Sequence, residues 1–210
     1  MEESSVSEAV RLAWGTLLDK ATTERVVDAF LRENPSLLGQ CLNFHNFGHG
    51  GMWIIPQKLI DPGAIARKGL KPDYLFGGKS SDGIFWCVAE LKGPGERLFN
   101  RYGTGKKSVR FSQAANEGIC QLLQYMDYCS SQQSYLRDHL KLQEFREPKG
   151  FLIVGRESEF ENDSELQDLK AAWNRISGGK IMLRTYDALL RSTAGSWAST
   201  EHFQALTGGP

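Results

Sequence analysis

The segment from residue 72 to 93 reads PDYLFGGKSSDGIFWCVAELKG and predicts a β-hairpin with an unusual charge pattern. The runs DYLF and IFWCVAEL are rich in aromatic and β-branched residues, and GGKSSDG between them is dense in turn formers. We therefore expect two antiparallel strands joined by a seven-residue turn. Charges rarely enter buried strands, yet the first strand carries Asp73 and the second carries Glu90 and Lys92.

These three charged residues are predicted to share one pocket. Side chains at positions i and i+2 of a strand point to the same face, so Glu90 and Lys92 project together, and the hairpin can bring Asp73 within reach. Two neighbouring carboxylates repel each other unless a cation lies between them, and carboxylate oxygens suit Mg²⁺. The Lys92 ammonium would hold an attacking water and offset charge on a phosphodiester. The pattern therefore predicts phosphodiester hydrolysis.

Length and composition favour one α/β domain. A chain of 210 residues that is 40% hydrophobic and 24% charged can build one sizeable core. Periodicity and turn signals predict helices and strands in alternation. The expected helices lie at residues 7–20, 22–34, 109–128 and 157–177, and the expected further strands at residues 52–60, 150–155 and 180–186. The helix from about Val109 should turn four residues to the core: Ile119, Leu122, Leu123 and Met126.

Cysteine usage and hydropathy predict a cytoplasmic protein that does not enter a membrane. The four cysteines form no CxxC pair and no signal peptide precedes them, which is typical of a reducing compartment. No apolar run approaches the roughly 20 residues that cross a bilayer. His45 and His49 lie in a glycine-rich stretch that should not be helical, so we expect a loop there and no zinc site.

A basic segment follows the hairpin in a chain whose total charge is balanced. The protein has 25 Lys+Arg and 25 Asp+Glu, so any binding to nucleic acid must come from a local patch. Residues 92–110 hold six basic residues against Glu96 and include two aromatic residues, a composition that seeks phosphate. We expect a glycine-rich exposed arm; a plain solvated loop is the alternative. The candidate DNA contacts are Arg97, Arg101, Lys106, Lys107 and Arg110.

The hairpin motif resembles that of the PD-(D/E)XK nuclease superfamily, with PD at residues 72–73 and ELK at residues 90–92. The segments ERVVDAFLRENPSLL, QLLQYMDY, GFLIVGRE and IMLRTYDALL make the chain similar to the nuclease domain of the Shedu family of bacterial anti-phage defence proteins. The resemblance covers roughly residues 22–191. It implies a restriction-endonuclease-like core with a mixed sheet flanked by helices, an N-terminal helix at residues 1–21 and a tail at residues 192–210.

The resemblance also implies further site residues. An acid on the first nuclease helix and a glutamine on the helix after the ExK strand complete such sites, and Glu24 and Gln121 match them by position. Glu33 and Gln113 are the alternatives at these two positions. The implied Mg²⁺ ligands, with Mn²⁺ as a substitute, are the carboxylates of Asp73 and Glu90 and the carbonyl of Leu91.

The expected function is that of a metal-dependent DNA endonuclease in anti-phage defence, in which Lys92 positions the water. The resemblance further implies a homo-oligomer with DNA as partner. Two alternatives stay open: a catalytically silent nucleic-acid-binding or assembly module of the same fold, and a repair nuclease that acts on branched DNA. Degenerate members of the superfamily usually lose an acid or the lysine, and this sequence has kept all three residues.

Overall fold

The computed structural model of the chain describes residues 6–21, 23–41, 52–61, 69–81, 83–106 and 108–192. His45, His49, Lys107 and the predicted tail from residue 193 onward lie outside these residues. Within them, the helices are all too short or too polar to cross a bilayer.

The core of the fold is a five-stranded mixed sheet. The strands of the chain are β1 (Met52–Pro56), β2 (Tyr74–Ser80), β3 (Gly83–Leu91), β4 (Phe99–Tyr102), β5 (Ser108–Phe111), β6 (Lys149–Ile153) and β7 (Ile181–Arg184). The order in the large sheet is β1-β2-β3-β6-β7, and β4 pairs with β5 in a separate two-stranded sheet. Strand β2 is antiparallel to both β1 and β3, whereas β6 runs parallel to β3 and β7 parallel to β6.

Helices cover both faces of this sheet. They are α1 (Glu8–Leu18), α2 (Glu24–Glu33), α3 (Pro35–Cys41), α4 (Gln113–Ser131), α5 (Gln133–Asp138), α6 (Ser164–Ile176) and α7 (Tyr186–Ser192). One hydrophobic core lies between α4 and the sheet, where it includes Val88 and Leu152. Side chains of α5, α6 and β4 also belong to this core. The other core lies under α1, α2, α3 and α7 and includes Ala89 and Phe151. The predicted α/β class, with a mixed sheet flanked by helices, is confirmed.

The turn of the predicted hairpin is shorter than expected. Ser80 pairs with Gly83, so two residues connect β2 and β3, and the seven-residue turn is wrong. Gly77 lies inside β2 because its bare Cα makes room for indole rings: a Cβ there would lie 2.7 Å from Cζ3 of Trp86 and 2.9 Å from Cε3 of Trp53. This glycine therefore serves close side-chain packing.

Two other predictions also change. The long helix begins at Gln113 and not near Val109, because residues 108–111 pair with β4 instead. Leu123, expected in the core, is 52% exposed, whereas Leu122 beside it is fully buried. Pro35 ends α2 as predicted and also begins α3, where its missing N–H has no cost.

Candidate active site

The carboxylates of the PD and ExK motifs meet at one end of the sheet. Tyr74 pairs with Ala89, and continuing this register by one pair sets Asp73 opposite Glu90. Oδ2 of Asp73 accepts a hydrogen bond of 2.8 Å from the N–H of Leu91. The carboxylate of Asp73 is thereby held against the main chain of the ExK strand, next to the residue whose carbonyl is the third predicted ligand.

Glu90 is the most constrained carboxylate of the site. The residue is only 4% exposed. Its Oε1 accepts a hydrogen bond of 3.0 Å from Nζ of Lys92, whereas its buried Oε2 finds no hydrogen-bond partner among the residues that the structure describes. Burial, reinforced by the charge of Asp73, raises the pKa of Glu90 to about 7, although Lys92 opposes the rise.

Lys92 is held between the strand and α4. Its Nζ donates to Oε1 of Glu90 and, over 2.8 Å, to Oε1 of Gln121. The close approach of α4 depends on Gly118, where a Cβ would lie 2.5 Å from Cδ1 of Leu152 and 3.4 Å from Cε of Lys92. The helix can therefore sit low enough on the sheet for Gln121 to reach the lysine.

Helix α2 brings Glu24 to the same end of the sheet. Burial raises the pKa of Glu24, and the charge of Asp73 raises it further. One turn later, Asp28 accepts a hydrogen bond of 2.6 Å from the Tyr74 hydroxyl, and its Oδ2 lies 2.8 Å from the Arg32 guanidinium. These contacts fix α2 on the strand that follows Asp73.

The two rival residues lie elsewhere. Glu33 is at the opposite end of α2 from Glu24, roughly 13 Å along the helix axis. Gln113 begins α4, roughly 12 Å from Gln121, and donates to Glu117 on the exposed side of the helix. Of the four candidates, only Glu24 and Gln121 interact with the motif residues: Gln121 accepts from Lys92, and Glu24 is affected by the charges of Asp73 and Lys92.

Sequence reasoning missed two tyrosines at this site. The buried hydroxyl of Tyr186 donates to the carbonyl of Lys92 over 2.8 Å, which fixes the main chain of the lysine. Tyr125 lies one turn after Gln121, and burial followed by the charge of Glu90 raises its pKa. A glycine inside a helical pattern, as at Gly118, was an available signal of close packing near the site, but Tyr186 is 94 residues from Lys92 and no local pattern connects them.

The donor set at this site fits a hard cation that keeps most of its water. In the described part of the chain, no three His, Cys, Asp or Glu side chains lie close enough to ligate one ion, so Glu24 does not complete a three-carboxylate site with Asp73 and Glu90. Two carboxylates with a neighbouring main-chain carbonyl are a ligand set that Mg²⁺ accepts, because it binds few protein groups and retains waters. The unpartnered Oε2 of Glu90 is the observation that favours such an ion.

The basic segment forms the β4–β5 hairpin, and carboxylates hold it in place. Oδ2 of Asp163 lies 2.7 Å, and Oε2 of Glu165 2.8 Å, from the Arg101 guanidinium. Glu159 accepts hydrogen bonds from the main-chain N–H groups of Leu98 (2.8 Å) and Phe99 (2.9 Å). Nε and Nη2 of Arg101 are therefore already engaged within the protein.

Two other arginines of this segment are more accessible. Arg97 is 59% exposed at its side chain and lies 3.7 Å from Oε1 of Glu159. The Arg110 guanidinium lies 5.1 Å from the ring centroid of the exposed Tyr102. The side chain of Lys106, like all of Lys107, falls outside the description, so the role of both lysines stays a prediction.

A comparison with protein families finds a match over most of the chain. The model described as "Shedu protein SduA, C-terminal" matches residues 21–190, a span that includes the hairpin, α2 and α4. No curated protein matches the chain.

Proposed function

Since the chain belongs to the Shedu family over residues 21–190, as its motifs predicted, we propose that it is a metal-dependent DNA endonuclease of anti-phage defence. Membership of this family suggests defence as the biological setting. The site at the end of β2 and β3 suggests the chemistry, because the buried carboxylate of Glu90 pairs with the Lys92 ammonium and the half-buried carboxylate of Asp73 is held against the main chain of Leu91.

The observation that carries this proposal is the buried Oε2 of Glu90. A buried polar atom without a partner costs on the order of 1–3 kcal/mol, and a neighbouring Asp73 adds repulsion. The carboxylates of Asp73 and Glu90 and the Leu91 carbonyl would hold Mg²⁺ or Mn²⁺. The ion would supply Lewis-acid polarisation of the phosphodiester and of water.

The remaining residues of the site would orient the water and offset the charge that develops on the phosphodiester. Nζ of Lys92, fixed by Glu90 and Gln121, has a third N–H that can donate to a water beside the phosphodiester. Its positive charge offsets the charge that develops on the phosphoryl oxygens. The charges of Asp73 and Lys92 act on the carboxyl of Glu24, which would accept a hydrogen bond from the same water network.

The test compares cleavage of supercoiled and linear DNA in Mg²⁺, in Mn²⁺ and in a chelator. We expect cleavage that needs the ion and that falls about 10²-fold or more in Glu90→Ala and Lys92→Ala, because a preorganised charge is lost. Gln121→Ala should also lower the rate, whereas Gln113→Ala, on the exposed side of the same helix, should not.

Two results would contradict the proposal. Full activity in Glu90→Ala or Lys92→Ala would remove these residues from the chemistry. DNA binding by the wild type without cleavage in either ion would favour the silent module. Thermal unfolding of each variant, measured beside the wild type, separates lost chemistry from lost structure.

A further inference from the structure

An apolar cavity lies between the β4–β5 hairpin and α6, outside the site of the two carboxylates. Its volume is about 520 Å³. Phe99 and Phe111 form the wall on the hairpin, and Trp173 with Ala172 forms the wall on α6. The size falls in the usual range of small-ligand sites.

The aromatic rings of this cavity are held in place before any ligand binds. Phe99 stacks on Phe111 with ring centroids 5.2 Å apart, and Phe111 meets Trp173 edge to face at 5.1 Å. Nε1 of Trp173 donates to the carbonyl of Ile181 over 3.0 Å, which fixes the orientation of the indole. A flat ligand would therefore find a rigid aromatic surface and would lose little binding energy to ordering the protein.

The charge at the cavity is positive. Arg110 is the one charged residue that the described chain contributes to its lining. The acids of α6 and its N-cap, Asp163, Glu165 and Asp168, do not line the cavity, and Asp163 and Glu165 are paired with Arg101. A ligand that combines a flat ring with a negative charge matches this surface, as a nucleotide does.

We propose that this cavity receives an unpaired base of a single DNA strand, with the Arg110 guanidinium beside an adjacent phosphate. Base stacking on fixed aromatic rings, together with a basic surface, is how proteins bind single strands without reading sequence. A base inside an intact duplex is stacked on its neighbours and cannot enter such a site. The inference rests on the proposed function, because that function supplies DNA as the ligand.

The experiment measures binding in a chelator, so that its result does not depend on cleavage. A homothymidine oligonucleotide is compared by fluorescence anisotropy with an abasic oligonucleotide of the same length, which has the phosphates but no bases. Ala172→Leu narrows the cavity. Ala171→Leu, one position away on α6 and outside the lining, is the matched control.

We expect the wild type to bind the homothymidine strand about 5- to 150-fold more tightly than the abasic strand, the range that stacking of one base gives. The ratio should fall to about 2-fold or less in Ala172→Leu and persist in Ala171→Leu. Ala172→Val, a smaller change, should give an intermediate ratio and serves if the leucine variant does not fold.

Two results would overturn the inference: equal binding of both strands by the wild type, and an unchanged ratio in the Ala172 variants. If the wild type binds both strands equally and Ala172→Leu also loses oligomeric mass by sedimentation, the cavity joins two copies of the chain. Cleavage that fails while discrimination persists would count against the proposed function alone.

Discussion

The buried carboxyl group of Glu90 has two favourable states: the neutral, protonated acid, and the anion with a cation next to it. Burial and the charge of Asp73 raise its pKa to about 7, well above that of an exposed glutamate. The folded protein therefore binds a proton between about pH 4.5 and 7 that the unfolded chain releases. Because the folded state holds more protons in this interval, its stability falls as the pH rises.

This linkage gives a prediction for the metal-free protein. In a chelator, raising the pH from about 5 to about 8 should lower the unfolding free energy by about 1–3 kcal/mol more in the wild type than in Glu90→Gln, which has no proton to lose. Mg²⁺ should reduce the fall in the wild type, because an ion that binds only the folded state stabilises it. Thermal melts across the pH range measure both effects; parallel curves for the two proteins would contradict the assignment.

Among the site residues, the sequence pattern alone predicted those that belong to the hairpin. Glu90 and Lys92 follow from the two-residue period of a strand, and Asp73 follows from the hairpin. Glu24 and Gln121 came from the family resemblance, since helix periodicity alone does not say which end of a sheet a helix covers. Tyr186 was missed because its contact with Lys92 crosses 94 residues.

At the scale of the element, β2 shows why the turn was predicted too long. Glycines usually indicate a turn, and Gly77 follows the hydrophobic run Tyr74, Leu75 and Phe76. Its real role is steric: the rings of Trp53 and Trp86 stack across it with centroids 6.0 Å apart. Trp86 stacks in turn on Phe145 at 4.8 Å. A glycine in a sequence pattern indicates conformational freedom. Gly77 is needed instead because Trp53, Trp86 and Phe145, from three separate segments, leave no room for a side chain there.

Gly77→Ala tests this explanation. We expect a loss of about 1–3 kcal/mol in unfolding free energy, because the new methyl group would press on Trp86, which cannot retreat past Phe145 and donates to the carbonyl of Gln143. The melting temperature should fall by roughly 2–12 °C. Lys79→Ala, two positions along the same strand and exposed, should change it little. An unchanged melting temperature in Gly77→Ala would contradict this explanation, because it would show that the indole rings move aside at no energetic cost.

At the scale of the whole molecule, the proposed DNA binding would have to come from the distribution of charge, since the total is zero. The β4–β5 hairpin concentrates basic residues, but the structure divides them. Asp163 and Glu165 engage Arg101 and so join the hairpin to α6. Arg97 and Arg110 are more exposed to solvent and remain the described arginines of this segment best placed for phosphate.

The salt dependence of duplex binding distinguishes these two groups. Each phosphate that a basic residue neutralises releases counterions and contributes about 0.9 to the slope of log K against log salt concentration. The double variant Arg97→Gln with Arg110→Gln should therefore flatten the slope by about 1–2 and weaken binding similarly on unrelated sequences. Arg101→Gln should leave the slope unchanged and lower the melting temperature, because its partners are the carboxylates of Asp163 and Glu165. Anisotropy titrations at several salt concentrations, in a chelator, measure the slopes. If the double variant and the wild type gave the same slope, the hairpin would not follow the DNA backbone; a flatter slope in Arg101→Gln would mean that DNA displaces the two carboxylates from this arginine.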